Sequence, residues 1–345
     1  MKNEITIAIT GLNATDNPGP GVPVIRSLKE ANSFDCRIIG LSYELLEPGI
    51  YMCDLVDKCY QIPYPGDGTG ALLNRLKYIN SKEHIDVIIP NYDAELFSFI
   101  KIEADLQQMG IKTVLPTAKQ LEERQKYNLP KLCQKYGINI PVTYIYNTYE
   151  ELKNGSIMPP AMIKGKYYEA HLCKTTDETI NQGMEMVAKW GYPIICQEVL
   201  SGTEFNVTGC GDGKGNTIAA VAMRKQFITD KGKAWAGITI ENPAMLKLCQ
   251  QFVTATKWKG GFELELMQTK DKKIYLIEIN PRMPAWIYLA TGAGQNIPEQ
   301  IVLLAIGKEP DIYHQYKIGK MFIRYSWDLL IDQNEMADFT IKRER

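Results

Sequence analysis

Glu265 and Glu278 stand thirteen positions apart, and the second heads the run Glu278-Ile279-Asn280-Pro281-Arg282. From Gly261 to Gln268 apolar and acidic residues alternate, Thr269–Lys273 reads as a turn, and Ile274–Ile279 alternates again. A period of two on either side of a short polar connection predicts two strands. If those strands pair, the two carboxylates come together with the Asn280 amide oxygen two residues on. Hard oxygens grouped this way suit Mg²⁺, which takes one or two carboxylates plus substrate phosphates and keeps part of its water shell. Mn²⁺ is the alternative ion for such a donor set. Arg282 adds a fixed cation where phosphoryl charge would develop. A hairpin with a solvated acidic face is the competing reading of the same residues.

Such residues need a frame. Residues 1–115 read as a doubly wound α/β unit, with strands at Ile5–Thr10, Cys36–Leu41 and Asp86–Pro90 and a fourth near Thr113–Leu115. Helical stretches fall near Val22–Glu30, Ala71–Ile79 and Ala94–Gln108. Strands alternating with helices favour a parallel sheet, whose ligands sit at the carboxyl ends of strands. Two such ends stand out: the glycine-rich turn from Thr10 to Gly21, which could cradle an anion, and Pro90-Asn91-Tyr92-Asp93-Ala94-Glu95. The spacing Gly-x-Gly-x-x-Gly is absent, which disfavours a nicotinamide-dependent oxidoreductase.

From Pro116 the pattern changes. Thr117 can cap a helix running toward Lys126, a helix over Leu129–Tyr136 stops at Gly137, and Ala161–Lys164 is a short strand. A helix over Asp177–Trp190 and an apolar strand over Tyr192–Leu200 follow. The expected division is an N-terminal α/β domain over 1–115, a small lid domain over 116–195 and a large mixed α/β domain over 196–345. Phe339–Arg345 reads as a frayed polar tail.

The 345 residues are 45% hydrophobic and 23% charged, as in an ordinary globular protein with room for two or three cores. A net charge of −1 gives no electrostatic case for nucleic acid or an anionic membrane as partner. No stretch approaches the roughly 20 apolar residues that span a bilayer, and Met1–Thr10 lacks a signal-peptide core. Eight cysteines without a Cys-x-x-Cys pair, and three scattered histidines, do not suggest zinc. Most of the cysteines read as small buried side chains in a reducing compartment, which makes cytoplasmic location the expectation.

Glu265, Glu278, Asn280 and Arg282 resemble the metal-binding and catalytic end of the ATP-grasp superfamily, in the branch of carbamoyl phosphate synthetase large chains and biotin carboxylases. The resemblance implies a pre-ATP-grasp parallel sheet followed by a two-lobed ATP-grasp fold. Lys126, followed by Gly137-Ile138-Asn139-Ile140-Pro141, resembles the family's first ATP lysine, and Lys164 the second. Gln197–Glu204 resembles the hinge between the lobes. It implies that backbone groups of Glu198 and Leu200, flanking Val199, meet the adenine edge while Glu204 accepts the ribose hydroxyls. Arg224 and Lys225 fall where the family approaches the phosphates. One departure is plain: Gly165-Lys166-Tyr167-Tyr168-Glu169-Ala170-His171 carries one glycine where many lids carry several, which leaves three readings: the Lys166 side chain compensates, the loop closes over substrate with its aromatic faces, or hydrolysis is slow.

The resemblance further implies activation of a small-molecule or peptide carboxylate as an acyl-phosphate, with ATP and Mg²⁺ as cofactors. An amine, thiol or other nucleophile co-substrate then attacks, and ADP and phosphate are released. The chain is too short for the two-unit carbamoyl phosphate synthetase and shows no biotin-carrier segment, which favours a single-unit ligase, expected as a homodimer. A regulatory or scaffold protein that binds ATP without turnover is the alternative. Met283–Tyr288, and Trp235–Gly237 after the turn Asp230–Lys233, either wall an acceptor pocket or pack in the core.

Overall fold

The computed structural model describes residues 4–15, 17–156, 158–166, 169–229 and 234–345. By packing, the chain forms two compact units that are not consecutive in sequence. The first comprises Met1–Ala118, Asn206–Glu263 and Asn280–Arg345, the second Lys119–Phe205 and Leu264–Ile279.

The first unit opens with a parallel sheet of β1 (Glu4–Ile9), β2 (Asp35–Ser42), β3 (Lys58–Gln61) and β4 (Val87–Ile89), in the order β3-β2-β1-β4. Ile7, Ile9, Ile38, Ile39 and Val87 are fully buried, as expected of parallel strands covered on both faces. The helix Gly21–Lys29 buries Val22, Val24, Ile25 and Leu28 and places Arg26 and Lys29 in its last turn, where cations complement the helix dipole. Gly21 is required by proximity, since a Cβ there would lie 2.3 Å from the Thr10 carbonyl oxygen.

Three details depart from the expected elements. The stretch Ala94–Gln108 forms two helices, Asp93–Lys101 and Glu103–Gln108, separated at Ile102. No strand forms near Thr113–Leu115 among the described residues; Lys112 makes an isolated parallel bridge to Val87. The closing residues are not a frayed tail. Phe339 is fully buried in the helix Gln333–Lys342, and Glu344 bridges Tyr60 in antiparallel fashion. Cys59 and Arg345 exchange backbone hydrogen bonds at 2.8 and 2.9 Å, and the Gln61 N–H donates to the Arg343 carbonyl at 3.0 Å. β3 is the edge of its sheet, and its open hydrogen-bonding groups explain why a polar segment settles there.

The second unit holds an antiparallel sheet of β5 (Thr143–Tyr146), β6 (Ala161–Lys164), β7 (Ala170–Cys173) and β8 (Ile194–Glu198), ordered β5-β8-β6-β7. The helix Thr176–Trp190 begins at Thr175, whose hydroxyl accepts from the Glu178 N–H at 3.2 Å. Ile163, Cys173, Met186, Ile194 and Cys196 form this unit's core. The third sheet consists of β9 (Gly202–Asp212), β10 (Thr217–Ile228), β11 (Ala234–Thr239), β12 (Lys259–Thr269), β13 (Ile274–Asn280) and β14 (Met321–Ile323). Its order is β13-β12-β9-β10-β11-β14, and β9, β12 and β13 each run from one unit into the other. All eight cysteines are free, and six are buried.

Candidate active site

Lys164 ends β6, where Ala161 and Ile163 point into the apolar core. The lysine itself is 9% exposed, so its ammonium must find a partner. It donates to Gln197 Oε1 on β8 at 2.7 Å, and Gln197 Nε2 donates in turn to Thr143 Oγ1 at 2.9 Å. Burial pushes the Lys164 ammonium down to about 8; the carboxylates of Glu278 and Glu265 oppose that fall and the Lys126 charge adds to it. Lys126 Nζ lies 3.5 Å from Glu278 Oε2. Lys126, Lys164, Glu265 and Glu278 therefore come together within the second unit, from four separate places in its sequence. Lys166 Nζ lies 5.9 Å from the ring centroid of Tyr127, which follows Lys126 in the sequence.

The loop carrying Lys166 closes the β6–β7 hairpin, with the Gly165 N–H donating to the Glu169 carbonyl at 3.3 Å. Tyr167 and Tyr168 lie outside the described residues, as does the Asp230–Lys233 turn. Glu198 ends β8; its N–H donates to the Val142 carbonyl at 2.9 Å and its Oε1 accepts from the Val142 N–H at 2.7 Å. Val199 is exposed, Leu200 half-buried, and Glu204 exposed on β9.

The first unit holds a buried carboxylate that spacing alone does not single out. Glu263 is 5% exposed and accepts from Asn280 Nδ2 at 3.0 Å, Asn206 Nδ2 at 2.8 Å and Trp286 Nε1 at 2.6 Å. The run Gly261-Phe-Glu-Leu-Glu puts Glu263 and Glu265 on one face of β12, and that parity was the signal that the pair, rather than Glu265 alone, merits attention. Trp286 is both core and polar: it packs with Met223, Ala234 and Leu289 while its N–H reaches Glu263. Arg282 Nε pairs with Asp93 Oδ1 at 2.7 Å. Asp93 opens a helix directly after the Pro90–Tyr92 strand end, which is locked by Glu95. That fully buried carboxylate accepts from the Asn91 and Tyr92 N–H groups at 2.7 and 2.9 Å and from the Thr10 and Tyr43 hydroxyls. Burial holds the Glu95 carboxyl above the usual range.

Arg224 is exposed and Lys225 half-buried on β10, where the pairing with β11 shifts register between Lys225 and Phe227. Beyond β14, Arg324 sits with its guanidinium 5.7 Å from the Phe322 ring centroid. Burial lowers its pKa against the opposing pull of Glu263, and no ion pair to it occurs among the described residues. No group of three His, Cys, Asp or Glu side chains placed for a metal occurs among the described residues. The donors are glutamate and asparagine oxygens, a set that fits a hard ion completing its shell with phosphate and water rather than one demanding an all-protein cage.

Residues 192–325 match a family model described as ATP-grasp in the biosynthetic pathway with Ter operon. No curated protein matches the chain. Among solved structures, the biotin carboxylase domain of Hydrogenobacter thermophilus 2-oxoglutarate carboxylase, in complex with MgADP, ADP and bicarbonate, is similar with a TM-score of 0.69 at 16% identity. That match covers 92% of this chain and 73% of the other. An L-amino acid ligase from Bacillus licheniformis matches with a TM-score of 0.66 at 15% identity, over 89% of this chain and 75% of the other. The N5-carboxyaminoimidazole synthetase of Staphylococcus aureus matches with a TM-score of 0.67 at 13% identity, over 92% and 81%. No described helix is long and apolar enough to cross a membrane. The chain shares the fold of these solved structures, and its residues 192–325 match the model of an ATP-grasp family.

Proposed function

We propose that this chain is an ATP- and Mg²⁺-dependent ligase that activates a small-molecule or peptide carboxylate as an acyl-phosphate for attack by an amine or another nucleophile. The observation that carries the reading is the gathering of Lys126, Lys164, Glu265 and Glu278, with burial lowering the Lys164 pKa against the pull of the two carboxylates. A lysine held at a burial cost, beside carboxylates, is arranged for an anion that arrives with its own metal. The neighbours in complex with MgADP or acting as amino acid ligase support this.

In this reading the domain boundaries are 1–115, 116–195 and 196–345. Lys126, Lys164 and Lys166 hold ATP phosphate oxygens, backbone groups around Glu198, Val199 and Leu200 meet adenine, and Glu204 accepts from the ribose. Glu265, Glu278 and Asn280 are the metal-side oxygens, and Glu263 joins them because it is hydrogen-bonded to Asn280. Mg²⁺, when bound, would neutralise charge on the β- and γ-phosphates. Arg282, steadied by Asp93, together with Arg224 and Lys225, would stabilise the acyl-phosphate and its tetrahedral successor, where loss of one cation lowers the rate by about 10²–10³-fold. Arg324, without an ion-pair partner among the described residues, is the guanidinium available to the substrate carboxylate. The test is a screen of carboxylates with hydroxylamine as surrogate nucleophile, where a hydroxamate product with ADP supports the reading. ATP binding without any carboxylate-dependent product would instead favour a non-catalytic nucleotide-binding protein.

A further inference from the structure

Trp286 is 6% exposed, and a buried indole N–H needs an acceptor. It has a charged one: Nε1 donates to Glu263 Oε1 at 2.6 Å, and Asn206 Nδ2 donates to the same oxygen at 2.8 Å. Asn280 Nδ2 donates to Oε2 at 3.0 Å. The last torsion of a glutamate side chain is broad and roughly two-fold when free. Two donors on Oε1 and one on Oε2 remove that freedom and leave Oε2 with the greater unused acceptor capacity.

The three donors are also neutral. A lysine or arginine hydrogen-bonded to Glu263 would fix the carboxyl group and bring a positive charge with it, whereas an indole and two amides fix it without adding a cation. Arg324 is near enough to act on Glu263 electrostatically without closing an ion pair. A second, independent sign of a cation is Asn206 itself. The residue is 2% exposed, its Nδ2 is committed to Glu263, and its Oδ1 has no hydrogen-bond partner. A buried acceptor left unpaired beside a carboxyl group is costly unless a donor or a cation meets it.

We propose that Trp286 is a positioning residue for a divalent cation: its indole N–H, with the Asn206 amide, holds Glu263 so that Oε2 is presented to the ion. It acts through the carboxylate and touches neither metal nor nucleotide. The inference rests on the reading of Glu263 and Asn280 as metal-side residues. It adds that an aromatic residue of the segment Met283–Tyr288 sets the metal affinity and lies close enough to report it.

The probe is Mn²⁺ in the presence of ADP, with free Mn²⁺ counted by electron paramagnetic resonance and tryptophan emission followed in the same titration. In the wild-type protein, Mn²⁺ quenches a buried-tryptophan component of the emission. W286F keeps an aromatic ring and loses the N–H; it should lose that quenched component and bind Mn²⁺ about 10- to 100-fold more weakly, the usual effect of removing a partner that orients a metal ligand. N206L removes the other donor to Oε1 without touching the indole and should weaken Mn²⁺ binding in the same direction, so the inference stays open to test if W286F folds poorly. Folded W286F and N206L that bind Mn²⁺ as the wild type does would overturn the positioning role and leave the metal reading standing. Wild-type protein that binds ADP but no Mn²⁺ would remove the metal reading itself, and this inference with it.

Discussion

Lys164→Met separates function from stability because it should move them in opposite directions. The ammonium is held down from its ordinary value of 10.5 to about 8, chiefly by burial. A fall of that size corresponds to about 3 kcal/mol of destabilisation imposed on the free protein by the charged form. Below pH 8 the group is protonated in the folded and the unfolded chain alike, so that cost is fully present. Between pH 8 and 10.5 the unfolded chain binds more protons, and stability rises with pH; above 10.5 the cost is gone. Methionine fills similar space without charge but leaves Gln197 Oε1 without its donor, at about 1–3 kcal/mol. The net expectation at pH 7 is a variant about 0–2 kcal/mol more stable than wild type, in which the rise between pH 8 and 10.5 has disappeared. On the proposed function the same change removes a charge-assisted contact to phosphate of roughly 1.5–3 kcal/mol, so ATP should bind about 10- to 100-fold more weakly. Wild-type affinity should itself fall as pH rises through 8, where an ordinary lysine would hold its charge. Urea unfolding from pH 7 to 10.5 and calorimetry with Mg·ATP read the two quantities separately. A variant destabilised by more than about 2 kcal/mol with unchanged ATP affinity would show that Lys164 serves structure alone.

Four further outcomes are expected. Glu278→Gln should abolish Mg²⁺-dependent turnover while unfolding within about 1 kcal/mol of wild type, since its pair with Lys126 is partly exposed; unchanged ADP release would remove Glu278 from the metal site. Lys166→Ala should weaken Mg·ATP binding or slow turnover if, as proposed, its side chain stands in for the glycines that the sequence lacks there; calorimetry and steady-state rates decide. Phe339→Ala should destabilise by about 3–5 kcal/mol, since the ring is fully buried, and a loss below about 1 kcal/mol in urea would return the closing segment to a loosely held tail. Light scattering at micromolar concentration should give the mass of a homodimer, and a monomer mass would refute that assignment.

Patterns of period and punctuation carried the fold where an element was long or well bounded. The helix Leu129–Tyr136 ends at Gly137 in the left-handed region, with φ 63°, and the glycine marks that boundary in the sequence. Ala161–Lys164 could be read from three apolar residues ending in a lysine. β3 escaped because Lys58-Cys-Tyr-Gln has neither alternation nor a turn signal and exists by pairing with β2 and the closing residues. Those closing residues were misjudged for the same reason, since polarity predicts exposure only when no sheet edge is waiting. At the proposed site, Lys126 and Lys164 stand out in the sequence by resemblance and Glu278 by its spacing from Glu265, and the structure brings Lys126 and Glu278 within 3.5 Å. The importance of Glu263, by contrast, depends on Asn206 and Trp286, 57 and 23 residues away. Contacts at such separations leave no local pattern.

The central claim is that ATP is spent on activating a carboxylate. The most direct measurement is ADP release with Mg²⁺ across a panel of carboxylates, each with and without an amine, using a substrate labelled with ¹⁸O in its carboxylate once one is found. Release that depends on carboxylate, with one ¹⁸O appearing in the liberated phosphate, is the predicted result, because an acyl-phosphate broken by a nucleophile leaves that oxygen on phosphorus. ADP release that ignores the carboxylate, or phosphate free of label, would contradict the account.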